Sequence, residues 1–214
     1  GIHRHHPAVM PGQLRQQQIG KGILNHQQRA LRGGGVFQRQ QAVIAVKQRG
    51  VLIAALKGGR VVQQGGSLRV QYAACNSRKG HWSLDEPAGL LRVELPDPTS
   101  DSWRIGALQS FEKQRTQELV QEYLRQYLPL FAERGMAAPA AVRFRIMQSR
   151  WGSCSGRTHS LSFNARLCER PHAFIEYVVV HELCHFLHGN HSADFWREVE
   201  RYLPDWQSRR KLGD

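Results

Sequence analysis

The first 84 residues of this chain contain neither aspartate nor glutamate, although 13 of them are lysine or arginine. Residues 85 to 214 hold 17 basic and 17 acidic side chains, so the whole formal net charge of +13 originates before residue 85. A cationic segment without counter-charge attracts polyanions, which raises nucleic acid as a partner of the N-terminal region. Long apolar runs are missing as well. No stretch approaches the roughly 18 to 20 consecutive apolar residues that cross a bilayer, and the N-terminus lacks the order of a signal peptide. These absences leave no membrane partner and an expectation of a soluble, cytoplasmic protein. Cysteine is scarce: Cys75, Cys154, Cys168 and Cys184 form no Cys-x-x-Cys pair. A chain of 214 residues folds without a disulfide framework, so reduced thiols are expected.

That length accommodates one catalytic domain of roughly 100 to 150 residues and an extension. Residues 1–50 read unlike the rest, with ten glutamines, a Gly33-Gly34-Gly35 run, a His3/His5/His6 cluster and no sustained periodicity. Such a composition buries little apolar surface and favours disorder. With Gly1 in place of Met at its start, the segment reads as a tag remnant, a fragment edge or an upstream region that is not natively translated. Over residues 51–104 the short apolar runs Val51-Leu52-Ile53, Val61-Val62, Leu68-Arg69-Val70 and Leu91-Arg92-Val93-Glu94-Leu95 are separated by Gly, Asn and Pro. They are expected to form strands joined by turns, a β-rich N-terminal region.

Residues 105–214 carry the stronger patterns. Between Ser110 and Gly135, Leu119, Val120, Tyr123, Leu124, Tyr127, Leu128 and Phe131 recur at three- and four-residue spacing, which predicts a long helix with Gly135 at its C′ position. Val142, Phe144 and Ile146 alternate, as do His159, Leu161 and Phe163, on either side of a turn-rich stretch from Ser153 to Gly156; two antiparallel strands are expected. After Pro171, an amphipathic pattern from Phe174 to Leu187 predicts a second helix ending at Gly189. Ser192 then caps a third, with Asp194 in its first turn, an apolar face of Phe195, Trp196, Val199, Tyr202 and Leu203, and Pro204 closing it. Such an order, helix, β-hairpin, helix, helix, makes the fold class α+β.

The second helix carries His181-Glu182-Leu183-Cys184-His185, an H-E-x-x-H motif. Two histidines four residues apart share one helical face and can reach one ion, while Glu182 points beside it at a metal-bound water. H-E-x-x-H alone arises by chance in many proteins. Support comes from His191: Gly189 and Asn190 break the helix, and the returning chain can bring a third imidazole to the open side of the ion. The metzincin pattern uses the same offset but places its glycine where this chain has His188, which disfavours that group. Three protein ligands leave a position for water, as in catalytic rather than structural zinc sites, and imidazole suits Zn2+ without excluding other divalent metals. His188 is a minor alternative to His191. Cys184 and Cys154 read as packing residues, His159 and His172 as surface or packing residues, and Phe195 and Trp196 as core. Arg150 and Trp151 either hold the hairpin or line the cleft.

The motif sits in a wider pattern: Ser149-Arg150-Trp151-Gly152-Ser153-Cys154-Ser155, Phe163-Asn164, Pro171, Tyr177 to His185, Asn190-His191-Ser192 and Phe195-Trp196. In this order they resemble the YgjP-like metal-dependent hydrolases over roughly residues 105 to 212, and more distantly the zincins that include the SprT and WLM proteases. Residues 1–50 carry no motif of that pattern. The resemblance implies a zincin-like α+β catalytic domain, a zinc hydrolase of the peptidase type, His181, His185 and His191 as ligands, Glu182 as catalytic acid/base, and a strand near Trp151 along the cleft. A peptide or protein is the expected substrate. The rivals are a protease recruited to nucleic acid by the basic N-terminal region and a catalytically silent metal-binding or nucleic-acid-binding module on the same scaffold.

Overall fold

A computed structural model describes residues 59–213. The expected disorder of residues 1–50 and the run at Val51 lie outside the described residues. The first sheet is built of β1 (Arg60–Gln63), β2 (Gly66–Ala74), β3 (His81–Asp85) and β4 (Leu90–Leu95), in the order β1-β2-β4-β3. The β1–β2 hairpin closes through Gln64 and Gly65, both at positive φ (51° and 79°), the conformation that matches the right-handed twist of paired strands. β2 and β4 run parallel, and β3 and β4 antiparallel. The period-two pattern turns Val61, Leu68, Val70, Leu91, Val93 and Leu95 to one buried face, where Leu108 and Phe111 of the following helix cover them.

That helix, α1 (Asp101–Ala132), starts nine residues before the expected Ser110. Leu108 and Phe111 serve the first core, whereas Leu119, Val120, Leu124, Tyr127 and Phe131 serve the second, so no single apolar stripe marks its whole length. At its end Gly135 takes φ +80°, and the Gly135 and Met136 N–H groups return to Ala132 O and Phe131 O, the C′ glycine closure the sequence led us to expect.

The second sheet corrects one expectation. Its strands are β5 (Ala141–Arg145), β6 (Gly152–Ser155) and β7 (Ser160–Asn164), in the order β5-β7-β6. The two alternating segments β5 and β7 are parallel neighbours, and the hairpin forms between β6 and β7. The small polar residues of β6 read as a turn in sequence; as a strand they form the sheet edge, with their backbone paired to fully buried β7. A 3-10 turn (Leu167–Glu169) leads to α2 (His172–Leu187), α3 (Ala193–Tyr202) and a short α4 (Trp206–Lys211) that the pattern after Pro204 did not announce. α2 ends at Leu187, two residues short of Gly189, because His188 is already extended.

Both halves of this α+β fold meet at the 3-10 turn. The hairpin tip donates from Gln64 N–H to Cys168 O (2.7 Å) and from Gly65 N–H to Glu169 O (3.1 Å), and a Cβ on Gly65 would come within 3.1 Å of the Pro171 ring. Beneath lies a buried charge cluster in which Arg166 meets Glu169 at 2.5 Å and Glu112 of α1 at 3.6 Å. Arg166 is shared between the two carboxylates, and Arg170 also acts on Glu169. Burial, opposed by Arg166 and aided by Glu169, pushes Glu112 up to about 7. A proton therefore binds the folded chain more tightly than the unfolded chain at Glu112, and this group's contribution to stability falls as pH rises from the ordinary carboxylate range through about 7. Thermal unfolding should show Glu112→Gln gaining on the wild type at mildly alkaline pH and losing that advantage near pH 4 to 5; equal pH slopes for the two proteins would refute this account.

Candidate active site

α2 is apolar nearly all round: Phe174, Ile175, Val178, Val179, Val180, Leu183 and Cys184 are buried against α1, the second sheet and α3. The polar residues in the second half of this packed helix are His181, Glu182 and His185, and the four-residue spacing brings the two imidazoles together with Nε2 atoms 3.2 Å apart. His191 returns from the loop after α2 and sets its Nε2 3.1 Å from that of His181. Ser192 explains the return: its hydroxyl accepts from Phe195 N–H (3.4 Å), capping α3 one residue after His191. The Phe195 ring fills the space beside all three imidazoles, with centroid separations of 4.9, 4.6 and 4.8 Å.

The geometry fits a tetrahedral cation. Two nitrogens at zinc-binding distance from a tetrahedral ion stand roughly 3.3 Å apart, close to the spacings observed here. The far nitrogens are engaged too: Tyr177 Oη lies 3.3 Å from His181 Nδ1, and His188 O lies 3.2 Å from His185 Nδ1. The His188 carbonyl can only accept, so His185 Nδ1 donates and its Nε2 keeps a free lone pair, the tautomer a metal needs; the Tyr177 hydroxyl is able to accept from His181 Nδ1 in the same way. Burial first, then His185, His191 and Arg210, drive His181 down to about 3, and burial likewise lowers His185 and His191. All three rings are thus held neutral at physiological pH, which metal binding requires.

Glu182 is buried, and β6 packs directly on its carboxyl. A Cβ built on Gly152 would lie 2.6 Å from Glu182 Oε1 and 2.7 Å from its Cγ, so only glycine lets the strand approach. Burial pushes Glu182 up to about 8, against the lowering effects of Arg150 and the Cys154 N–H. Cys154 itself is pushed up to about 12 by burial and by Glu182, so its thiol stays protonated. Cys184 is fully buried in the core.

The remaining sequence candidates fall elsewhere. His188 contributes its carbonyl, and its ring is outside the group of three. His159 stacks on Phe186 and reaches Ala137 O (2.9 Å); His172 pairs with Tyr123 (3.1 Å). Trp151 carries the Arg170 guanidinium 4.7 Å over its ring and meets Phe174 edge-on. Three contributors escaped the sequence reading. Tyr177 could have been found, since it precedes His181 by one helical turn. Gly152 lay in plain view within the recognised motif, but its need for close approach is a tertiary fact. Trp206 lies in the unannounced α4 and stacks 4.2 Å from Trp196, whose ring in turn lies parallel to His191 at 5.6 Å.

Comparison with known proteins adds a family. The model of the YgjP-like metallopeptidase domain matches residues 8–212, which carries the likeness far upstream of the motifs beginning near residue 105 and into the stretch where residues 1–50 offered none. Among solved structures, the metallopeptidase zymogen of Pyrococcus abyssi abylysin is similar at 21% identity and a TM-score of 0.35, over 45% of this chain and 87% of that one. No curated protein matches. No helix among the described residues is long and apolar enough to cross a membrane.

The Gly152 contact is directly testable. Gly152→Ala should force the Glu182 carboxyl or the strand aside and lower stability by about 1–3 kcal/mol in thermal unfolding, the scale of an overpacked site. An unchanged melting temperature for Gly152→Ala would show that the close contact is dispensable.

Proposed function

The chain belongs to the YgjP-like metallopeptidase domain family, and from that premise we propose that it is a zinc-dependent peptidase whose metal is held by His181, His185 and His191, with Glu182 as general base. The observation that carries this reading is the convergence of three neutral imidazoles, their Nε2 atoms 3.1 and 3.2 Å apart, beside a buried carboxylate on the same helix. A structural metal site has no use for that carboxylate.

Zinc held there would polarise the scissile carbonyl as a Lewis acid and acidify a water to a pKa of about 7. Glu182 takes the proton from the attacking water and returns it to the leaving amine, so one side chain serves as base and then acid. Its proton affinity, raised by burial, suits both halves of that shuttle, and a divalent cation held alongside would lower it. Gly152 holds the carboxyl in place, Phe195 excludes water behind the imidazoles, and Tyr177 with the His188 carbonyl fixes ring orientation. Edge strand β6 offers its outer backbone beside Glu182, where an extended peptide can pair.

Elemental analysis of the wild type alongside His191→Ala tests the ligand set: about one zinc per chain is expected, with marked loss in the variant, and full zinc in His191→Ala would refute it. Glu182→Gln should keep its zinc and lose at least about a hundredfold in peptide hydrolysis. Full activity in that variant would sink the general-base assignment. Absence of hydrolysis in the wild type itself would favour the catalytically silent module.

A second reading concerns recruitment. Arg60 and Arg69 stand opposite one another on the outward face of the β1–β2 ladder, at the described end of the segment that lacks acidic residues. Recruitment to nucleic acid predicts DNA binding that weakens steeply as salt rises; salt-independent or undetectable binding removes it.

A further inference from the structure

α4 sets two consecutive arginines on opposite duties. Arg209 is fully committed: its guanidinium bonds to Asp205 Oδ1 (2.7 Å) and Glu176 Oε2, and Glu176 Oε1 accepts from Tyr127 Oη (2.6 Å). These bonds pin α4 onto α2. Arg210, the next residue, is exposed and has no carboxylate within ion-pair distance among the described residues. Its guanidinium lies 5.7 Å from the centroid of Trp196, whose ring stacks on His191. Trp196 is therefore the ring that stands between this charge and His191.

The neighbouring carboxylates are occupied elsewhere. Asp194 pairs with Arg197, and Glu198 with Arg134 and Arg201 on the other side of α3. Arg150, two residues before the Gly152 that abuts Glu182, is also exposed and without an ion-pair partner among the described residues. Two guanidiniums without ion-pair partners therefore stand near a site that would also carry a divalent cation. A substrate bearing an anion relieves that imbalance, and planar guanidinium matches carboxylate in two-point geometry.

We propose that Arg210 is a specificity-determining residue that binds a carboxylate of the peptide substrate within about three residues of the scissile bond. The distance follows from the stacking: steps of 5.7 and 5.6 Å lead from the guanidinium through Trp196 to the His191 ring. An extended chain covers that span in about three residues. The carboxylate comes from an Asp or Glu side chain or from the substrate's own C-terminus; the first makes the protein an endopeptidase selective for acidic sequence, the second a peptidase acting near chain ends. This inference rests on the peptidase reading, but binding tests it apart from catalysis.

The experiment uses the full chain with zinc, carrying Glu182→Gln so that probes stay intact. Fluorescence anisotropy is read with rhodamine-labelled decapeptides that differ only in a central Glu or Gln and in a free or amidated C-terminus. At least one carboxylate peptide should bind about tenfold more tightly than its amide isostere, and which one does so identifies the source. Adding Arg210→Gln should collapse that ratio toward one, whereas Arg210→Lys, which keeps the charge but loses the fork, should retain part of it. Zinc content and thermal unfolding of each variant separate recognition from loss of structure. Equal binding of carboxylate and amide probes, no binding of any probe, or a ratio that survives Arg210→Gln in folded protein would overturn the proposal. Absence of hydrolysis by the chain with Glu182 intact, alongside an undiminished binding ratio, would instead count against the peptidase reading alone.

Discussion

A carboxyl group buried at the backbone of an edge strand constrains the arrangement of the candidate site. Glu182 sits on a helix that is apolar on almost every side, and such a helix must be packed from several directions at once. β6 supplies one of those walls and can do so only because Gly152 has no side chain. The contact holds the carboxyl against the strand, and removal from water raises its hold on a proton. Position and proton affinity thus have one cause.

The histidines depend on a second layer of contacts. Tyr177 and the His188 carbonyl take the outer nitrogens of His181 and His185, and the early end of α2 is what frees that carbonyl. His191 is held differently, by the Ser192 cap on one side and Trp196, stacked on Trp206, on the other. Phe195 touches every ring of the group; truncating a buried Phe of this kind costs about 3–5 kcal/mol, so the residue binds fold and site together. α1 links this assembly to the first sheet, contributing to both cores and to the buried Glu112–Arg166–Glu169 cluster.

Charge is distributed with the same economy. Most arginines near the site are neutralised by carboxylates that fasten one element to another, Arg209 to Glu176 and Asp205 above all. Arg150 and Arg210 are exceptions, exposed and without an ion-pair partner among the described residues.

Periodicity and local motif determined the α+β class, the helical setting of His181, Glu182 and His185, the Ser192 cap and the Gly135 closure, because each depends on residues within a few positions of one another. The offset of His191 and the surrounding motifs were enough to mark it as the third histidine. Strand order was decided only in three dimensions: β5 and β7 share the same alternation, and nothing local tells a parallel neighbour from a hairpin partner. The small polar residues of β6 look like a turn until β7 pairs with them. The close approach of Gly152, the stacking of Trp206 on Trp196 and the unpaired charge of Arg210 likewise join residues far apart in the chain. Local sequence determined which groups could do chemistry; tertiary packing decided what each one faces, because burial, charge compensation and steric clearance are properties of surroundings that distant segments provide.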